Sequence, residues 1–292
     1  MANRVLVTGG TKDDVAPIAV FIINVKNTNA HLFDKVIVFH DGIKYKDQQQ
    51  IKRIMDVEFR LYKPKFSTGN GMVYSYFSPM IFCKYECIRL LDDYDEVVWS
   101  DYDVVIRKGI DEILKFDENI CWNITTSSSV ILASKLFENR INNEITDKYD
   151  IERQGVCAAL FVLRRGIGNP MELTEWCYEM TERYDDSLYL PEEAILSMMI
   201  QNFNIQYSPL DLNVYAASAK SDDDGVVILH AAGVYKFWNA ISNPTWNDNY
   251  AEWIGMGGTK YSERLKQYYR FIRLIKSKIN RTYSIIIKNR LK

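Results

Sequence analysis

Two acids stand inside an apolar stretch of this chain: Asp101-Tyr102-Asp103 follows Val97-Val98-Trp99 and precedes Val104-Val105-Ile106. Buried strands do not hold carboxylates unless something compensates their charge. Alternation along a strand points residues 101 and 103 to the same side, so both carboxylates reach one spot at a strand end. Carboxylate oxygens suit Mg²⁺ or Mn²⁺, and an ion held by only two of them keeps positions for substrate phosphates. An isolated Asp-x-Asp is more often a pair of solvated acids near a turn. The apolar flanks on both sides set this one apart.

Around the pair the chain alternates strand and helix. Apolar runs over 5–7, 35–39, 97–99, 156–163 and 226–229 read as strands, and helical periodicity covers 15–25, 48–55, 79–91, 171–184 and 192–202. This order predicts an α/β fold with a mainly parallel central sheet, a Rossmann-like domain over residues 1–258 that ends near Gly257-Gly258. In such sheets ligands bind beyond the carboxyl ends of the strands, where the acid pair falls. No apolar run approaches the roughly 18 to 20 residues that span a bilayer, and the N-terminus, with Arg4 before only Val5-Leu6-Val7, is no signal peptide. A cytoplasmic protein is expected. Five cysteines, at 83, 87, 121, 157 and 177, lack paired CxxC spacing, which fits reduced, mostly buried thiols and no zinc site.

The net charge of −2 conceals a split. Residues 260–292 hold eleven Lys or Arg against one acid, Glu263, a balance of +10, while the other 259 residues hold 25 basic against 37 acidic side chains, a balance of −12. Within 259–292, Leu265, Tyr268, Ile272, Ile275, Ile279 and Ile286 recur between the basic positions in the pattern of a basic amphipathic helix. Such a helix lies in the headgroup region of an anionic membrane. A terminal helix packed on the body, or paired with a second copy, is the other reading. Nucleic acid is not expected as a partner, because the basic excess is confined to the tail.

The N-terminal Val5-Leu6-Val7-Thr8-Gly9-Gly10-Thr11 looks like the opening of a nicotinamide-dependent short-chain reductase. That pattern needs a later glycine under the pyrophosphate, and Lys12-Asp13-Asp14 follow instead. Two acids there repel a diphosphate, and no Tyr-x-x-x-Lys pair accompanies them. A nucleotide-binding first turn of another kind is preferred.

After the strand over 226–229 comes His230-Ala231-Ala232-Gly233-Val234-Tyr235-Lys236-Phe237-Trp238. A histidine at a strand end can give a nitrogen ligand to the same cation. Alone it is more often a satisfied structural residue, and the upstream acid pair reverses that reading. Gly233 lets backbone approach a phosphate, and Lys236 can neutralise a departing diphosphate. Asp101, Asp103 and His230 are the expected metal ligands.

With these residues the chain resembles the family 8 glycosyltransferases. Their closing pattern His-x-x-Gly-x-x-Lys-Pro-Trp is matched at His230, Gly233, Lys236 and Trp238, with Phe237 in place of proline. Their metal motif follows an apolar strand preceded by an acid, as residues 95–103 do here. The resemblance implies a GT-A type fold, a UDP-galactose or UDP-glucose donor, Mn²⁺ (or Mg²⁺), and hexose transfer with retention of configuration. It implies a membrane-associated glycan or glycolipid acceptor, such as a lipopolysaccharide or capsule precursor, and so a protein peripheral to the inner face of the cell membrane. Donor contacts are assigned to Val7, Thr8 and Gly9 in the first turn, to Lys84, and to Asp101, Tyr102, Asp103, Gly233 and Lys236. Phe39-His40-Asp41-Gly42-Ile43 looks like the family's second strand and turn.

Two stretches depart from the family. Val156-Cys157-Ala158-Ala159-Leu160-Phe161 resembles Phe-Asn-Ala-Gly-Val-Leu with Cys157 replacing an asparagine near the sugar. Glu192-Glu193-Ala194-Ile195-Leu196 resembles Asp-Gln-x-x-Leu-Asn, with glutamates for aspartate and glutamine. By analogy with retaining glycosidases, a carboxylate beneath the anomeric carbon acts as nucleophile, which makes Glu193 a candidate. Hydroxyl binding by Glu192 or Glu193 is the other catalytic-site role, and an acidic first turn after Pro191 is the plain structural one. Tyr74, Tyr76, Tyr215, Trp246 and Trp253 could stack on sugar rings, although such aromatics are more often core. A metal-dependent nucleotide-sugar hydrolase or pyrophosphorylase would share the acid pair without needing an acceptor or a tail. A degenerate membrane adaptor would bind neither UDP nor Mn²⁺.

Overall fold

The computed structural model describes residues 3–65, 78–127, 143–184 and 190–262. The amphipathic tail from 263 onward, with Tyr74 and Tyr76, lies outside them. Four valine- and isoleucine-rich segments become strands β1 (Arg4–Gly10), β2 (Lys35–His40), β3 (Val57–Leu61) and β4 (Glu96–Ser100). All five residues of β4 are buried, as continuous apolar strands of a sheet covered on both faces are. Pleating sends Val5, Val7, Ile37, Phe39, Val97 and Trp99 into one core, and Leu6, Val36, Val38 and Val98 into the other.

The large sheet has seven strands in the order β3-β2-β1-β4-β7-β6-β8, with β6 (Trp122–Ser127), β7 (Gly155–Arg164) and β8 (Tyr207–Leu210). Strands β3, β2, β1 and β4 run parallel; β7 is antiparallel to both β4 and β6, while β8 is parallel to β6. The sheet is thus mostly parallel with one reversed strand. Winding reverses at β1, whose neighbours β2 and β4 lie on opposite sides, and the crevice beyond the ends of β1 and β4 is the ligand position of such a sheet.

Helices cover both faces: α1 (Val15–Asn29), α2 (Tyr45–Ile51), α3 (Pro170–Tyr184), α4 (Pro191–Asn202) and α5 (Pro244–Gly255). Helix α1 is buried along nearly its whole length, with α5 packed on it. Trp246 and Trp253 of α5 are core residues, and Tyr215 is half-buried. A smaller sheet of β5 (Val104–Ile106), β9 (Ala217–Ser218) and β10 (Ile228–His230), in the order β5-β10-β9, stands beside the large one.

The expected helix over 79–91 is instead a 3₁₀ segment, Pro79–Tyr85, one α-turn, Glu86–Arg89, and a second 3₁₀ turn, Leu90–Asp92. Ser78 caps its start, and Phe82, Cys83, Lys84 and Tyr85 are all buried, so neighbours surround the segment instead of lining a single face. The chain remains docked past Gly258: Trp253 Nε1 donates to Thr259 O at 2.9 Å and Thr259 Oγ1 to Asp47 Oδ1 at 2.5 Å. Among the described residues no helix is long and apolar enough to cross a membrane.

Candidate functional site

Strand β4 ends at Ser100, and Asp101-Tyr102-Asp103 is the turn that carries the chain from the large sheet into β5. The two carboxylates converge through this turn, not through alternation within one strand. Its ends are tied to different elements: Asp101 N–H donates to Ala159 O of β7 at 2.8 Å, and Ala231 N–H donates to Asp103 O at 2.9 Å. Antiparallel pairing of β5 with β10 sets His230 opposite Val104, next to Asp103. His230 Nε2 therefore lies 3.4 Å from Asp103 Oδ1 and 4.0 Å from Asp101 Oδ2. One ligand atom from each of Asp101, Asp103 and His230 falls within 4.8 Å of the others. Two carboxylate oxygens and one imidazole nitrogen fit a Mn²⁺- or Mg²⁺-like ion with open positions. Burial opposes charge on Asp103, yet His230 and Lys236 beside it hold its carboxyl well below the usual carboxylate range. Burial likewise opposes charge on His230, and Asp103 outweighs it, raising the imidazole.

Two lysines flank the cluster. Lys84, from the 3₁₀ segment, is 5% exposed and sits 3.3 Å from Asp101 Oδ1, 3.2 Å from Glu192 Oε1 and 5.6 Å over the Trp99 ring. Burial alone would drive its ammonium toward neutrality, but Asp101, Glu192 and Glu193 overcome it and raise its pKa. Lys84 lies beneath the carboxylates, where it braces Asp101. Lys236 bonds to Asp103 Oδ2 and donates to Ala231 O at 2.7 Å. Its loop turns at Gly233, whose φ of +80° is a conformation that side chains rarely adopt.

Glu192 and Glu193 occupy the first turn of α4, where the helix dipole favours negative charge. Glu192 is buried, with Oε1 on Lys84 and Oε2 without a hydrogen-bond partner among the described residues. Glu193 Oε1 accepts the Ala158 N–H at 2.9 Å. Burial and neighbouring Glu192 push its carboxyl up to about 7, against Lys84 and the Ala158 amide. That amide belongs to a bulge: β6 pairs Ile124 with Phe161 but Thr125 with Cys157, so 158–160 arch away from β6 while Leu160 still pairs with Ser100 of β4. Cys157 flanks the arch, its thiol pushed up to about 12 by burial and Glu193.

Two supports escape sequence reading. Trp99 Nε1 donates to Asp101 Oδ1 at 2.9 Å, a contact foreshadowed by its position two residues before the acid. Thr125 Oγ1, fully buried, reaches Cys157 O at 2.6 Å and Leu160 O at 3.3 Å across the bulge. Its strand reads Trp-Asn-Ile-Thr-Thr-Ser, a largely polar run in which nothing marks Thr125 out.

The first turn is arranged for packing. Val7 and Thr8 are fully buried, and a Cβ on Gly9 would stand 2.5 Å from Cys83 Sγ. A Cβ on Gly10 would meet the Tyr102 ring at 3.0 Å, so this glycine lets the ring lie on the end of β1. Asp14 folds back and accepts the Thr11 N–H at 3.0 Å. Tyr102 stacks on Trp238, with centroids 5.8 Å apart and planes 21° from parallel, which joins the acid turn to the end of the lysine loop.

A family model described as glycosyl transferase family 8 matches residues 5–242. No curated protein sequence matches the chain. Among solved structures, the galactosyltransferase LgtC in complex with donor and acceptor sugar analogues aligns with a TM-score of 0.62 at 14% identity, covering 86% of this chain and 99% of that one. An LgtC active-site mutant with glutamate in place of glutamine gives 0.64 at 14% identity over 90% and 99%. Mouse xyloside xylosyltransferase 1 gives 0.51 at 13% identity over 78% and 97%. At these identities the likeness is one of fold. The family model, however, runs from the first strand past Trp238, and on that match the chain belongs to glycosyl transferase family 8.

Proposed function

We propose that the protein transfers a hexose, galactose or glucose, from a UDP-sugar to a membrane-associated glycan or glycolipid, with retention of anomeric configuration and a divalent cation as cofactor. The observation that carries this reading is the Asp101, Asp103 and His230 cluster, its ligand atoms within 4.8 Å of one another at the switch point of the sheet. Asp101, Asp103 and His230 would hold a divalent ion, which would supply positive charge to a diphosphate leaving group. Lys236 adds its ammonium to the same oxygens. Glu192 Oε2, buried and unpartnered among the described residues, is placed to accept a sugar hydroxyl. Glu193 has no ion pair among the described residues and takes the nucleophile's part. Its carboxylate bonds to the anomeric carbon as the bond to the β-phosphate breaks, leaving the electron pair on UDP. The acceptor hydroxyl then displaces Glu193, and its proton passes to the diphosphate of the UDP released in the first step and still held in the site.

The basic balance of residues 260–292 supports an anionic membrane surface as the place where the acceptor is met. A panel of UDP-sugars with Mn²⁺, scored by thermal shift, tests the donor: UDP-galactose or UDP-glucose raises Tm, since a ligand of the native state must stabilise it. No shift with any UDP-sugar contradicts the reading. UDP release that does not accelerate when membrane acceptor is added favours a hydrolase instead.

A further inference from the structure

Lys84 and Lys236 hold the two metal-site aspartates in different ways. The Lys84 side chain is 6% exposed and locked between Asp101 and Glu192, whereas that of Lys236 is 20% exposed. Lys236 sits on a loop where Gly233 has open space around it and Val234 and Tyr235 face solvent. Lys236 nevertheless occupies Asp103 Oδ2, while Oδ1 of the same carboxylate faces His230 at 3.4 Å. Both oxygens of Asp103 are engaged. Lys236 on Asp103 Oδ2 and a divalent ion on Oδ1 would be like charges on one carboxylate, so each opposes the other.

The charge balance points the same way. With His230 neutral, as a metal ligand must be, Asp101, Asp103 and Glu192 face Lys84 and Lys236, a single net negative charge. A bare divalent ion overshoots that charge and repels Lys236 toward solvent, weakening a half-buried pair. An ion arriving with a nucleoside diphosphate brings compensating negative charge. The diphosphate also offers the displaced ammonium new oxygens, in charge-assisted bonds as strong as the one it leaves.

We infer that Lys236 is a specificity-determining residue that makes the site select the ion–diphosphate complex over the bare divalent ion. The inference rests on the metal-dependent function proposed above. It makes Lys236 a competitor of the ion when no nucleotide is present and a partner of the ion when one is. Removing its charge therefore changes Mn²⁺ affinity in opposite directions in the two states.

Mn²⁺ binding to the full chain, followed by loss of the free-ion electron paramagnetic resonance signal with and without UDP, tests this. UDP tightens Mn²⁺ binding to the wild type by at least about fivefold, the lower end of ordinary coupling. Lys236→Met binds bare Mn²⁺ at least about fivefold more tightly than the wild type and binds it less tightly than the wild type once UDP is present. Lys236→Gln repeats the result on a polar side chain, and Lys236→Arg, which keeps the charge, stays weak for the bare ion. Unchanged or weaker bare-ion binding in Lys236→Met and Lys236→Gln overturns the inference, as does an equal gain in Lys236→Arg. A wild-type chain that takes up no Mn²⁺ even with UDP overturns the metal-dependent function as well, so the two failures are distinguishable.

Discussion

Lys84 and Glu193 are opposite solutions to burying charge. The Lys84 ammonium is kept charged by Asp101 and Glu192, and removing it leaves two carboxylates without their counter-ion. Lys84→Met is expected to cost about 3–5 kcal/mol in urea unfolding, the price of breaking a buried pair on one side. Adding Glu192→Gln to that variant recovers part of the loss, which a double-mutant cycle measures. Glu193 is raised from its ordinary 4.5 to about 7 by burial and Glu192. A carboxyl raised on folding contributes stability that is fully present below the unfolded pKa and is lost as pH rises through the folded one. The wild type is therefore expected to lose up to about 3 kcal/mol between those two values, at 1.36 kcal/mol per pH unit. Glu193→Gln lacks that slope, which denaturation at a series of pH values reads directly. If Glu193 is the nucleophile, turnover rises with pH through about 7 and collapses in Glu193→Gln. A variant that keeps most of its turnover removes Glu193 from that role.

The bulge in β7 ties Asp101, and with it the candidate metal cluster, to Glu193. Ala158 N–H holds Glu193, Ala159 O holds Asp101 N–H, and Thr125 Oγ1 pins the arch from β6. One turn along α4, Ser197 Oγ accepts the Val156 N–H at 3.1 Å, so α4 docks on β7 through a polar edge. Thr125→Val keeps the shape and removes the pin, leaving carbonyls unpaired at a cost of about 1–3 kcal/mol. It is expected to lower kcat more than it raises KM for the donor, with Thr125→Ser restoring turnover; equal activity of the valine and serine variants contradicts a positioning role for the hydroxyl. None of this was legible in the chain's periodicity, because a bulge is set by two strands far apart in sequence. Helices over 171–184 and 192–202 were legible to within a residue, since their apolar spacing and the prolines that open them, Pro170 and Pro191, are local. The segment over 79–91 was misread as one helix because apolar residues three and four apart do not separate 3₁₀ turns from α-turns.

At the scale of the whole molecule, alternating apolar runs made the mostly parallel sheet legible, and the position of Asp101 and Asp103 followed from it. The reversed strand β7 was not foreseen, because strand direction leaves no mark in hydrophobic pattern. His230 was found by its motif, yet what delivers it to Asp103 is the second sheet, in which β10 pairs with the strand that follows the acid turn. Asp101, Asp103 and His230 thus meet where two sheets exchange the chain, and that junction carries the proposed chemistry. Its most direct test is UDP formation from UDP-galactose and UDP-glucose, in Mn²⁺ or in EDTA, by the wild type and Asp103→Asn. Metal-dependent transfer predicts UDP formation from one of these donors with Mn²⁺, its abolition in EDTA, and a loss of at least about a hundredfold in Asp103→Asn. Full turnover in EDTA, or an Asp103→Asn chain as active as the wild type, would contradict it.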